Sequence, residues 1–332
     1  RKAEFSSKII QGKSEEKLQD TVIQKYQEEF EQVVAHIKSI TSQISDYNDS
    51  ITKLKENIAQ LSADADKQQQ QYHREKSRLE SLVNITERYD GYGSSIRKIM
   101  ELKDDNEGIL GVIADIIKVE KKYETAIETA LGGTIQNIVT DNEDTAKGLI
   151  KYLKENKFGR ATFLPLSSLQ VRNTLENDPC IKENGVVGVA SSLVRVSFEY
   201  EKLAKYLLGR ILVVDNIDNA LLIAKKYKYS LRIVTLEGEQ LNPGGSMTGG
   251  AFKNSSNLLG RRREIEELKK EVNELSKSGN LIKANISENR KEASELRSKL
   301  DEANKQLRDE QIKKNTAQLN FNQAVSKKKE II

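Results

Sequence analysis

Few side chains in this chain are equipped for covalent or metal chemistry. Cys180 is the only cysteine, and His36 and His73 are the only histidines. That excludes an intrachain disulfide and a zinc site built from His and Cys ligands. Cys180 stands beside Pro179 with no histidine in its part of the chain to take its proton, so it is not expected to act as a nucleophile. Asp104, Asp105 and Glu107 read as a solvated loop, and His36 and His73 as exposed residues on helices. Asn84-Ile85-Thr86 spells a glycosylation triplet, which a cytosolic chain does not use.

The most unusual stretch runs Asn242-Pro243-Gly244-Gly245-Ser246-Met247-Thr248-Gly249-Gly250. Glycine at Gly244, Gly245, Gly249 and Gly250 permits positive φ and close backbone approach, which suits either a phosphate cradle or a tight contact between backbones. A P-loop requires G-x-x-x-x-G-K-[ST]. Here Ala251-Phe252 follows the last glycine, and the lone Gly12-Lys13-Ser14 has Ser7 where the first glycine belongs. The stretch is therefore read as an interface or structural turn, without a nucleotide cofactor.

Two basic features have the spacing to neutralise phosphates. Lys147, Lys151 and Lys154 fall on one face of a predicted helix, with Lys157 just beyond. Lys253 and Arg261-Arg262-Arg263 sit where the middle of the chain gives way to its last segment. Each has a plainer reading: the lysines can be a solvated face, and the arginines can pair along their own helix with Glu264, Glu266 and Glu267.

The elements that must position these residues are marked by glycine. Residues 1–90 hold one glycine and residues 261–332 hold one, while seventeen lie between Gly91 and Gly260. The ends read as helix. Ile23, Phe30, Ile37, Ile44, Ile51 and Ile58 recur every seventh residue, with Tyr26, Val33, Ile40, Tyr47, Leu54 and Leu61 three further on. The last segment repeats the pattern from Ile265 and Leu268. A two-in-seven stripe sustained this long is a coiled-coil seam. At 1.5 Å per residue the segments would be roughly 130 and 105 Å long, and a helix running into a domain pairs antiparallel with the one running out. Pairing with separate chains is the alternative. An index sum near 347 sets Gln68 opposite Gly279, so a soft point is expected at residues 66–76 and 276–281, unless Gln68 and Glu75 merely snorkel and the coil runs straight.

Between the arms, Tyr123-Glu124 through Leu131-Gly132 returns as Tyr200-Glu201 through Leu208-Gly209. Strands are expected at Gln136–Thr140, Ala161–Leu164, Ile211–Val214 and Leu231–Thr235, with helices at Asn142–Glu155 and Asn216–Lys226. A duplicated helix–strand–helix–strand unit makes an α/β domain of two related halves. The domains are placed at 1–89 (outgoing arm), 90–257 (α/β domain) and 258–332 (returning arm).

Charge does not name a partner. The chain has 54 basic and 50 acidic residues, a net +4, so nucleic-acid binding must rest on local clusters. No run of about 18 apolar residues occurs and the start lacks a signal-peptide core, so no membrane or secretory role is expected. A cytoplasmic location is expected instead.

The middle segment resembles the hinge domain of bacterial structural-maintenance-of-chromosomes (SMC) proteins, the core of bacterial condensin. The resemblance rests on Ala130-Leu131-Gly132-Gly133, Gly159-Arg160-Ala161-Thr162-Phe163-Leu164-Pro165-Leu166, Gly188-Val189-Ala190-Ser191, and Arg232-Ile233-Val234-Thr235-Leu236-Glu237-Gly238 running into Gly244-Gly245-Ser246-Met247-Thr248-Gly249-Gly250. The flanking heptads are similar to that family's antiparallel arms. The resemblance implies a hinge that homodimerises with Gly244, Gly245, Gly249 and Gly250 at the contact. It also implies DNA binding through basic residues at the hinge–coil junction, so weak, sequence-independent binding is expected there, carried by Lys253 and Arg261 to Arg263 with help from Lys151 and Lys154. The parent would be a nucleoid-associated ATPase of chromosome condensation and segregation. Its ATP and Mg, and its kleisin-type accessory subunits, would belong to head domains absent here, so this chain would be a non-enzymatic fragment. Close relatives carry a run of lysines where this chain has Lys253-Asn254-Ser255. Two other classes remain: a passive coiled-coil tether without DNA contact, and a nucleotide-binding enzyme on an α/β scaffold, which would need an acid, base or phosphate loop that the sequence does not offer.

Overall fold

Long stretches rich in Glu, Lys, Gln and Leu form the two long helices α1 (Lys2–Glu87) and α8 (Leu258–Ile331). The computed structural model describes residues 2–251 and 257–331. The chain divides into two units, Arg1–Gln71 with Leu275–Ile332, and Tyr72–Glu274.

The first unit is an antiparallel pair of helices. Ile40, Ile51, Ile286, Ala293, Ala303, Ala317 and Ala324 of the heptad stripes are buried along it. Polar contacts across the seam share one register: Gln68 with Ser278, His36 with Glu310, Asp20 with Lys328. A side chain added at Gly279 would lie 3.8 Å from Gln68 Oε1, so the two seam irregularities do face each other.

The second unit is the α/β domain, and its halves follow one plan. In the first half, β1 (Ile109–Val112) runs antiparallel to β3 (Ile138–Thr140), and β3 runs parallel to β4 (Phe163–Pro165). In the second, β5 (Val186–Val189) runs antiparallel to β7 (Ile211–Val214), and β7 parallel to β8 (Arg232–Thr235). The hairpin of β9 (Gln240–Leu241) and β10 (Met247–Thr248) extends only the second sheet, giving the order β10-β9-β8-β7-β5. The helices match as well: α4 (Glu124–Leu131) with α6 (Glu201–Leu208), and α5 (Glu143–Glu155) with α7 (Ile217–Lys226). The short α3 (Ile113–Ile116) returns as a 3-10 helix over Ala190–Leu193, whereas α2 (Ser94–Met100) has no such counterpart among the described helices.

The same local chemistry starts both crossover helices. Asn142 and Asn216 cap α5 and α7, each accepting the N–H three residues on. Asp141 and Asp215 brace those caps and leave no room opposite, so a side chain at Gly185 (φ +87°) would come within 2.6 Å of Asp215 Oδ1. The halves meet where β2 (Lys118–Val119) pairs antiparallel with β6 (Val194–Arg195), setting Lys118 against Arg195, its counterpart in the repeat. Strand β7 is buried on both faces: Ile211 and Val213 enter the core shared by the two halves, while Leu212 and Val214 pack with Ala220, Ile223 and Cys180 beneath α7. The strand beginning expected at Gln136 is instead a 3-10 turn over Gly132–Gln136, and β4 ends on Pro165. Strands β1 and β5 were not expected at all.

Candidate functional site

The glycine stretch forms the outer hairpin of the second sheet. Gly245 donates to the Asn242 carbonyl at 3.0 Å, Asn242 to that of Ser246 at 2.8 Å, and Gly244 to that of Tyr229 at 2.9 Å. Gly244, Gly245 and Gly250 hold φ of +87°, +100° and +131°. Among the described residues, a Cβ at Gly244 or Gly250 would meet nothing within 4 Å. Residues 244–251 are exposed, Met247 among them. Internal packing therefore does not account for so bare a strip of backbone. It lies on the sheet's outermost strand, and among the described residues neither the outer edge of β10 nor that of β4 has a strand partner.

Helix α5 separates its faces cleanly. Ala146, Leu149 and Leu153 point into the core, while Lys147, Lys151 and Lys154 are exposed, with Lys157 past the helix end. Among the described residues, only a loose pair between Lys151 and Glu155 at 3.7 Å competes for their charge. Lys253 lies outside the described residues.

The arginine triplet is placed differently from the lysines. Arg261 donates through Nη1 to the Asp90 carbonyl at 2.8 Å, Arg262 pairs with Asp115, and Arg263 pairs with Glu124 and with Glu267. Of the pairings along the helix expected from sequence, only Arg263 with Glu267 forms among these three; the stronger partners come from the α/β domain. Asp115 also accepts the Tyr89 hydroxyl at 3.0 Å, which joins the chain just past α1 to the first turns of α8 through one carboxylate. Glu124 and Glu128, a turn apart on α4, are both buried. Glu128 accepts the N–H of Leu258 at the start of α8, at 3.3 Å. Burial pushes its pKa up to about 7, the Leu258 N–H pulls against that, and Glu124 adds to the rise. Burial likewise raises the Tyr89 and Tyr92 hydroxyls, with the Asp115 charge acting in the same direction.

These carboxylates were not singled out from sequence. Their signal was an acidic pair spaced i, i+4 on a short helix whose other residues are apolar or threonine. Cys180 is fully buried and its thiol is pushed up to about 12 by burial, with Asp178 adding to it, which leaves it inert. Among the described residues, no cluster of His, Cys, Asp and Glu is placed to hold a metal ion. No described helix is long and apolar enough to cross a membrane.

A repeated α/β unit with open sheet edges, joined to an antiparallel helical pair, defines a hinge-type module. Known proteins agree. The SMC flexible hinge domain matches residues 106–224. The chain is 37% identical over 255 residues to the chromosome partition protein Smc of Bacillus subtilis (strain 168), covering 75% of this chain and 22% of that protein. It is 40% identical over 221 residues to that of Clostridium kluyveri (strain NBRC 12016), covering 65% and 19%. A crystal structure of an asymmetric dimer of the Geobacillus stearothermophilus SMC hinge domain superposes with a TM-score of 0.68 at 34% identity, covering 73% of this chain and 99% of that one. The chain belongs to the SMC family and contains its hinge domain. It spans about a fifth of the length of the curated relatives named here. What is matched is a hinge, not a catalytic domain.

Proposed function

We propose that this chain is the hinge through which a chromosome-partition ATPase pairs with a second copy of itself. The observation that carries the reading is the exposed glycine strip at Gly244, Gly245, Gly249 and Gly250, which flanks the edge strand β10 and has open space at Gly244 and Gly250 among the described residues. A twofold axis can set the free edge of β10 in one protomer against the free edge of β4 in its partner, and the reverse pair at the same time. The relative from Geobacillus stearothermophilus is itself a hinge dimer. The dimerising domain is taken as residues 90–257, with arms at 1–89 and 258–332. Changing all four glycines to Asp puts charge and bulk where backbones would meet. Sedimentation equilibrium should then find a folded monomer, whereas a dimer of unchanged affinity would overturn the reading.

The same reading gives the chain weak, sequence-independent contact with DNA at the junction, carried by Lys253 and Arg261 to Arg263, with help from the exposed Lys151 and Lys154. ATP, Mg and kleisin-type subunits are assigned to the parent's heads, and the parent to the nucleoid in the cytoplasm. One observation favours the alternative of a passive tether with no DNA contact: Arg261, Arg262 and Arg263 already have partners within the chain. A salt-dependent DNA titration separates the two.

A further inference from the structure

Heptad seams are degenerate, because a shift of seven residues returns apolar positions to apolar positions. Sliding α8 by one heptad would move it about 10.5 Å along α1 and still bury isoleucine against leucine. Something else must select one register. Two of the polar crossings in the first unit involve buried or part-buried groups of the seam. Glu310, at a seam position, is buried; its Oε1 takes Lys313 Nζ at 2.7 Å, and its Oε2 lies 3.5 Å from His36 Nδ1 across the seam. Lys313 holds its carboxyl below the usual range, so it sits in the seam as an anion. Farther along, Gln68 donates to Ser278, and Gly279 leaves space for the Gln68 amide. His36 and Gln68 are 32 residues apart on α1, and Ser278 and Glu310 are 32 apart on α8, so a single offset satisfies both crossings.

We propose that Glu310 with His36, and Gln68 with Ser278 and Gly279, specify the register in which the two arms pair. In that register the Gln68 amide and the gap at Gly279 share one layer of the seam, and Glu310 meets His36 in another. A slip in one direction brings Glu310 beside Glu29, a like charge, and sets the gap at Gly279 against Leu61. A slip in the other brings Glu310 beside Gln43, out of reach of His36, and drives the Gln68 amide against Ile286, so either slip breaks both crossings. The apolar layers supply adhesion, and these residues supply its address.

Disulfide trapping on the full chain tests this, because the only native cysteine, Cys180, is buried and silent. Ile51→Cys with Leu296→Cys reports the native register. Ile51→Cys with Ala303→Cys, or with Asn289→Cys, reports slips of one heptad either way, which leave the native pair out of bonding range. In the otherwise native chain only the first pair should cross-link. With Glu310→Leu and Gln68→Leu added, slipped cross-links should rise at least about tenfold while the melting temperature holds or climbs, since a polar seam residue trades stability for specificity. Slipped cross-links that stay at the native level in that variant would overturn the proposal. So would slipped and native cross-links of equal yield in the unaltered seam.

Discussion

Replacing Glu128 by glutamine should stabilise the α/β unit, and far more at pH 8 than at pH 5. Glu128 is 8% exposed and has one hydrogen-bond donor, the Leu258 N–H. Its pKa is about 7 when folded against an ordinary 4.5. Because the folded value is the higher one, the folded chain holds this proton more tightly than the unfolded chain. The stability linked to it is complete below pH 4.5 and is lost as pH rises through about 7. The gap amounts to roughly 3 kcal/mol, of which about 1 kcal/mol has gone by pH 5 and nearly all by pH 8. Glutamine keeps an acceptor for Leu258, carries no charge and does not titrate. Glu124 retains Arg263 in either case. Differential scanning calorimetry should show the domain's transition rising by roughly 5–10 °C at pH 8 and about 3 °C at pH 5. An equal gain at both pH values, or a loss at pH 8, would refute the account of Glu128 as a buried carboxylate held against its charge.

Arg263→Gln should cost about 2–3 kcal/mol in denaturant unfolding, because it leaves Glu124 buried at 5% exposure without its cation; a loss below about 0.5 kcal/mol would mean the pair is dispensable. Lys151→Glu with Lys154→Glu should lower the log–log salt slope for duplex DNA by about 0.9 for each phosphate no longer neutralised, and an unchanged affinity and slope would leave α5 a solvated face. Hydrogen exchange should be faster near Gly279 than near Leu300, since glycine costs a helix about 1 kcal/mol and supplies no knob. Equal protection at the two places would remove the soft point.

The parts of this protein legible in its sequence are those governed by neighbours along the chain. Heptad spacing dictates the two helices and their antiparallel pairing, because a seam is periodic and needs no third element, while the coincidence of two seam defects, Gln68 and Gly279, marks which register they take. The duplication was readable from Tyr123-Glu124 and Tyr200-Glu201, and it reached further than those residues: Gly108-Ile109-Leu110-Gly111-Val112 and Gly185-Val186-Val187-Gly188-Val189 carry β1 and β5 at the same spacing of 77. Four-residue apolar strands interrupted by glycine have too weak a period to stand out alone. Tertiary structure decided what the charges do. From sequence Arg261 to Arg263 could meet either phosphates or the glutamates of their own helix, but folding brings the Asp90 carbonyl, Asp115 and Glu124 from 139 to 171 residues away to meet them. Glu128, one turn from Glu124 on the same helix, was buried only when the start of α8 closed over it. Local spacing sets which residues share a face; only the packing of distant segments sets which charges lose their water, and with it their pKa and their partners.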